Sequence, residues 1–90
     1  MYEIILSKTA LQDIETLVKS VNRPVIRKVY RLLEELKINP FYGTGKIEQL
    51  KYRPGCWARR ISGEHWLVYT VEHSTVTVNV LDILTHYEDK

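Results

Sequence analysis

The chain has 90 residues, 44% hydrophobic and 27% charged, with 13 Lys and Arg against 11 Asp and Glu. That length leaves room for one domain, and a domain so small buries only about 60–65% of its unfolded surface, so its apolar residues must share one core. The lone Cys56 excludes an intramolecular disulfide and fits a reducing cytoplasm. No run reads as a membrane span, and the early Glu3 without a basic leader argues against a signal peptide.

Residues 2–6, Tyr-Glu-Ile-Ile-Leu, read as a short strand. Ser7 or Thr9 can cap a following helix, and Thr9-Ala10-Leu11-Gln12 matches the capping box, in which hydroxyl and amide satisfy free backbone N–H groups reciprocally. Ala10, Leu11, Ile14, Leu17, Val18 and Val21 recur at helical spacing as its apolar stripe. Asn22-Arg23-Pro24 breaks that helix and opens a second, because proline fits the first turn, where no N–H is needed. Val25, Ile26, Val29, Leu32, Leu33 and Leu36 form the second stripe, and Asn39-Pro40 ends it, since a residue before proline is pushed out of the helical region.

Residues 41–46 form a loop with two glycines, after which the period changes. Glu48-Gln49-Leu50 can begin a strand and Pro54-Gly55 marks a turn. Strands follow at 57–61, 66–72 and 75–84, with turns at Ser62-Gly63 and His73-Ser74. Helices followed by strands indicate an α+β fold, a short N-terminal strand and two helices before an antiparallel meander. Trp57, Leu67 and Tyr69 read as core residues, Cys56 as a small apolar filler and His65 as a packing or hydrogen-bonding residue. A two-residue turn at Ser62-Gly63 would set His65 opposite Arg60; a three-residue loop would set Trp66 there.

The net charge of +2 is unevenly spread. Between residues 46 and 70, Lys46, Lys51, Arg53, Arg59 and Arg60 face only Glu48 and Glu64, a balance suited to a phosphate-bearing partner. Beyond residue 70, Glu72, Asp82, Glu88 and Asp89 face only Lys90. His65, His73 and His86 lack metal-ligand spacing, so no metal or other cofactor is expected. A carboxylate, an imidazole and fixed cations are nonetheless sufficient for metal-free RNA cleavage. One group takes the 2′-OH proton, one protonates the leaving 5′-oxygen, and cations stabilise the charge gathering at phosphorus.

The order of the residues narrows this. Pro40-Phe41-x-Gly43-x-Gly45-Lys46-x-Glu48-x-Leu50-Lys51, then Trp57-x-Arg59-Arg60-Ile61, then Glu64-His65-x-Leu67-Val68-Tyr69, then His86-Tyr87, resembles the Txe/YoeB toxins of the RelE/ParE superfamily. The resemblance runs from about Asn39 to Tyr87. It implies two helices packed on a twisted antiparallel sheet and ribosome-dependent cleavage of mRNA through the ribose 2′-OH. It puts Glu48 at the general base, His86 at the general acid, Tyr87 at a substrate contact, and Lys51 and Arg60 at phosphate-binding cations. The partners it implies are the ribosome with mRNA and a cognate antitoxin of the YefM/Axe kind. Operator DNA bound through the antitoxin complex and a homodimer are further expectations; a membrane is not.

Two departures stand out. Trp66 occupies the position where the family has a transition-state arginine, leaving Arg59 and Arg60 as the nearest cations; alternation puts Trp66 itself on the substrate-side face. The tail Glu88-Asp89-Lys90 adds two acids beyond Tyr87. The substitution at Trp66 keeps open a catalytically weakened homologue that acts as an antitoxin-binding regulatory module. A ParE-like poison of a protein target is the remaining alternative, disfavoured by the acid–base pair.

Overall fold

The computed structural model describes residues 1–20, 22–43, 47–51, 53–63 and 65–85, with 84 and 85 through their backbone. The elements are β1 (Glu3–Leu6), α1 (Lys8–Ser20), α2 (Arg23–Ile38), β2 (Ile47–Gln49), β3 (Trp57–Arg60), β4 (Trp66–Glu72) and β5 (Thr77–Thr85). They form one five-stranded sheet in the order β1-β5-β4-β3-β2. The meander from β2 to β5 is antiparallel, as the turn signals require. β1 lies parallel to β5, so the sheet is mixed. The chain must cross over both helices before β5 can return beside β1, as parallel neighbours demand.

Ser7 caps α1: its Oγ accepts from Ala10 N at 3.0 Å. The cap therefore lies two residues before the Thr9 capping box, which falls inside the helix. Asn22 caps α2, its side chain accepting from Val25 N, with Pro24 in the first turn. The stripe of α1 is narrower than its apolar letters suggest. Ala10 and Leu17 are buried and Ile14 packs beside them, whereas Leu11 and Val18 lie more than half exposed. Leu11 and Val18 each sit one residue, about 100° of helical rotation, beyond Ala10 and Leu17. Val21 lies outside the described residues. In α2, Val29, Leu32, Leu33 and Leu36 are buried against Leu67, Tyr69, Val78, Val80 and Ile83 of the sheet. At about 1.5–3 kcal/mol for each fully buried large aliphatic side chain, this layer is the main stabilising element of the fold.

A second, smaller cluster lies on the other sheet face: Leu50, Cys56, Ala58, Trp66 and Val68, with Leu81 against it. β5 contributes to both faces and is irregular. Its register against β4 shifts on either side of Val68. Side chains from the α1 end of the chain take up backbone groups at this irregularity. Ser7 Oγ donates to Leu81 O at 2.6 Å and Asp13 Oδ2 accepts from Ile83 N at 3.0 Å. Alternation sends Leu81 to the second cluster, opposite Val80, and would send Ile83 with it; the irregularity returns Ile83 to the main core.

Candidate active site

Strand register decides which candidate residues meet. Glu48 pairs with Ala58, Ala58 with Val68, Arg60 with Trp66 and Val68 with Asp82. Residues directly opposite share a face, as do residues two apart on one strand. Glu48, Arg60 and Trp66 therefore stand on the face away from the helices, with Glu48 and Arg60 diagonal neighbours, roughly 7–8 Å apart between Cα atoms. The β3–β4 pairing settles the register: Ile61 N and Ser62 N both bond to His65 O, and Trp66, not His65, faces Arg60.

Glu48 is half-buried on β2 and Arg60 is exposed on β3. The Arg60 guanidinium carbon lies 4.7 Å from the centroid of the Trp66 ring. Trp66 is on the expected face but does not stand open to a substrate: it is only 7% exposed, packed among Leu50, Ala58 and Val68. Its indole is the floor of the site and the seat of Arg60. Lys51 is exposed just beyond β2, where Leu50 N bonds to Cys56 O at 2.9 Å and closes the β2–β3 connection. In that connection Arg53 reaches over to Asp82 of β5, at 3.4 Å, and ties the two sides of this face together. Thr85 pairs with Trp66 along β5; His86 and Tyr87 lie outside the described residues.

Arg59 goes elsewhere. It is 0% exposed and shares the helix-side face with Trp57 and Leu67, so it does not join Glu48 and Arg60. Its Nη1 donates to Glu35 Oε1 of α2 at 3.2 Å, and its Nη2 to the carbonyl oxygens of Pro40 at 3.4 Å and Tyr42 at 3.3 Å. The Tyr69 hydroxyl donates to the same Pro40 oxygen. Burial pushes the Tyr69 phenol up from its ordinary value, with the nearby Arg59 charge acting in the opposite direction. Gly43, at φ +146°, fits this clamp because a Cβ there would come within 2.4 Å of Glu35 Oε1. Pro40, Gly43 and Arg59, three spaced letters of the sequence pattern, are thus one structural unit. It fixes the start of the loop that leads to Glu48. The burial of Arg59 is readable in the sequence: it lies two residues from Trp57, a core residue by its composition, and strand alternation sends both the same way. Nothing comparable marks Glu35.

His65 is half-buried, and its Nδ1 has no partner among the described residues. It pairs with Ile61 rather than facing Arg60. Phe41 packs edge-on to Trp57, with ring centroids 5.1 Å apart. Among the described residues no group of three His, Cys, Asp or Glu side chains is placed to hold a metal. The chemical content of the face is a carboxylate beside an anchored guanidinium, with a second cation at its margin.

A sequence profile for the YoeB-like toxin of bacterial type II toxin–antitoxin systems matches residues 6–87. The toxin YoeB of Escherichia coli K12 is 34% identical over 61 residues, 67% of this chain and 73% of that protein. A solved YoeB/ParE toxin from Agrobacterium tumefaciens superposes with a TM-score of 0.84 at 31% identity, covering 94% of this chain and 99% of the other. The toxin of a heterotetrameric YoeB-YefM toxin-antitoxin complex from Staphylococcus aureus gives 0.79 at 30% identity, covering 97% and 99%.

Proposed function

Because the chain belongs to the YoeB-like toxin family of bacterial type II toxin–antitoxin systems, we propose that it is a ribosome-dependent endoribonuclease that cuts messenger RNA. The observation that carries this reading is the meeting of Glu48 and Arg60 on one sheet face, over a buried indole and away from the helices. Glu48 takes the proton of a ribose 2′-OH, whose oxygen attacks the adjacent phosphorus. Arg60, with Lys51 at the margin, stabilises the charge that develops on the phosphoryl oxygens. His86, by its place in the family pattern, protonates the departing 5′-oxygen, and Tyr87 contacts the substrate. The indole holds the Arg60 guanidinium in place before substrate arrives, so the cation that Trp66 itself cannot supply comes from across the strand pair. None of these steps draws on a metal.

The silencing partner is a cognate antitoxin of the YefM or Axe kind, a reading supported by the staphylococcal complex. Operator DNA enters only through that complex. A ribosomal substrate implies action in the cytoplasm, and among the described residues no helix is long and apolar enough to cross a membrane.

The test is primer extension on a reporter mRNA in a translating extract. Wild type is expected to give breaks at codons, with 5′-hydroxyl and 2′,3′-cyclic or 3′-phosphate ends. Glu48→Gln should slow single-turnover cleavage by roughly 10²–10⁴-fold, the usual contribution of a positioned general base. Near-wild-type cleavage by a folded Glu48→Gln protein would remove Glu48 from the mechanism. One observation favours a second reading: the family's arginine position is filled by a buried tryptophan. If extracts show no breaks while antitoxin binding is retained, the protein is an antitoxin-binding regulatory module.

A further inference from the structure

Of the described cations in the basic stretch between residues 46 and 70, Lys51 and Arg60 have a place in the proposed mechanism, and Arg59 is locked by Glu35 and by the carbonyl oxygens of Pro40 and Tyr42. Arg53 remains. Its Nη1 donates to Asp82 Oδ2 at 3.4 Å. Among the described residues this is the one ion pair on the sheet face that carries Glu48 and Arg60, and neither member has another charged partner. Register brings Asp82 to that face: Glu48, Ala58, Val68 and Asp82 are successive Cα partners, one row across four strands. Arg60 and Trp66 form the next row on the same face. With strands about 4.8 Å apart and a rise of about 3.4 Å per residue, Asp82 lies roughly 12 Å from Arg60 between Cα atoms.

The two arginines of this face are held by opposite means. Arg60 rests 4.7 Å from the neutral ring of Trp66, which leaves its charge whole. Arg53 rests on a carboxylate, which neutralises it. That contact is longer than the roughly 2.7–2.9 Å of a strong charge-assisted bond. The two side chains are 39% and 26% exposed, so water screens the pair and it contributes little stability. One bond to Asp82 also leaves the rest of the Arg53 fork unbonded among the described residues.

We propose that Arg53 is a further substrate-binding residue of this site, taking a messenger phosphate that flanks the scissile one, and that Asp82 holds its guanidinium until that phosphate displaces the carboxylate. The inference rests on the proposed cleavage of messenger RNA. A strand seated on Arg60 brings a flanking phosphate within reach of the long Arg53 side chain. The exchange replaces one anion by another on the same guanidinium, and the fork fits phosphate oxygens in pairs, which its single bond to Asp82 does not use. Asp82 lies close enough to water to be solvated when Arg53 leaves it. The β2–β3 connection is thus tied to β5 in the free protein and to substrate in the complex. Asp82 therefore tunes affinity: it competes with RNA for the cation it positions.

The experiment measures affinity for ribosomes carrying either of two messengers. One has 2′-deoxyribose throughout the decoding-site codon, which removes the nucleophile and traps the bound state; the other ends before that codon. The ratio of the two affinities is the messenger's own contribution. Asp82→Asn is expected to raise that ratio by about 2–5-fold, the range that release from a partly exposed ion pair allows. Arg53→Gln should lower it and make the slope of log affinity against log salt shallower by about 0.7, the value for one single-strand phosphate no longer neutralised. The double variant Arg53→Gln/Asp82→Asn should match Arg53→Gln, because Asp82 acts only through Arg53. A purely structural bridge would weaken both single variants alike, so a ratio lowered or unchanged by Asp82→Asn overturns the proposal. Equal loss by Arg53→Gln on both messengers overturns it too, by placing the contact on the ribosome. The two readings fail separately. If wild type cuts nothing but the variants show this pattern, the phosphate contact stands and the nuclease reading falls. If wild type cuts while Asp82→Asn gains nothing, this inference falls alone.

Discussion

Replacing Trp66 by arginine would supply the cation that the sequence resemblance implies at that position, yet the structure argues that it will harm the protein. Trp66 is 7% exposed and packs with Leu50, Cys56, Ala58, Val68 and Leu81. Removing a buried tryptophan side chain typically costs about 3–5 kcal/mol. The arginine stem recovers part of that burial, but its guanidinium would face Arg60, the residue directly opposite on β3. Like charges in that position are destabilising, and the stacking of Arg60 on the ring, about 0.5–1 kcal/mol at an exposed site, disappears as well. A net loss of about 3 kcal/mol follows. In a domain of this size each kcal/mol lowers the melting temperature by about 4–8 °C, so Trp66→Arg should melt roughly 12–24 °C below wild type. Circular dichroism melts at pH 7 read the shift directly, and single-turnover cleavage on ribosomes at a temperature where the variant is folded should show no gain. A shift of only a few degrees accompanied by faster cleavage would refute the reasoning and make Trp66 an open position vacated by a catalytic cation.

Arg60→Ala and Arg59→Ala should fail in different ways: the first should lower the cleavage rate with a small change in melting temperature, the second should lower the melting temperature. Reversal of the two signatures would mean that β3 presents its other face to RNA. Glu35→Ala should destabilise more than Arg59→Met in chemical denaturation, about 3–5 kcal/mol, because it strands a fully buried guanidinium, whereas the carboxylate left by Arg59→Met is partly solvated and keeps Arg31 nearby. Gly43→Ala should destabilise by roughly 1–3 kcal/mol, from its positive φ and the approach to Glu35; an unchanged midpoint would show that the loop can step aside. The Tyr69 phenol is raised by burial, so its contribution to stability is complete below the ordinary tyrosine value and is lost as pH rises beyond it. Wild-type stability should therefore fall, as pH rises above about 10, more steeply than that of Tyr69→Phe, measured by urea unfolding at each pH.

The parts of this fold that depend on local chemistry are legible in the sequence. Asn22 with Pro24, Asn39 with Pro40 and the apolar spacing of α2 mark that helix to within a residue or two. Period-two alternation sends Leu67 and Tyr69 to the helices and Trp66 away from them. What escapes is set by contacts between distant segments. β1 pairs in parallel with β5 across more than 70 residues, and no local signal reports that partner. Trp66 faces outward by alternation, but its burial comes from Leu50, Cys56 and Leu81, brought to it by the β2–β3 connection and by β5. Ser7 outcompetes Thr9 as the cap because its hydroxyl also donates to Leu81 O, a tertiary bond that the capping pattern cannot contain. Glu48 and Arg60 are legible as candidates, whereas their juxtaposition requires the register of β2 on β3.

The second cluster bears on why the candidate site lies where it does. A five-stranded sheet with helices on one side can leave its other side solvated, and a short chain has few apolar residues to cover it. Here Trp66, Leu50, Cys56, Ala58 and Val68 cover it locally, beneath Glu48 and Arg60. A dry floor lowers the local dielectric, which strengthens the interaction of a guanidinium with a phosphoryl oxygen above it. It also limits the rotamers of the side chains that rest on it, so less reorganisation remains at the moment of reaction. On the helix side, Arg59 holds the Pro40–Gly43 segment that leads into β2, and on the opposite side Arg53 and Asp82 join the β2–β3 connection to β5. Glu48 is thus carried on a three-residue strand whose approach and exit are both pinned by arginine. A short edge strand would fray without such anchors, and the general-base role proposed for Glu48 needs a geometry held to a fraction of an ångström. Two adjacent arginines of β3 therefore divide by strand alternation: Arg59 faces inward to fix the scaffold, and Arg60 faces outward over the indole, where the proposed activity assigns it to the phosphate.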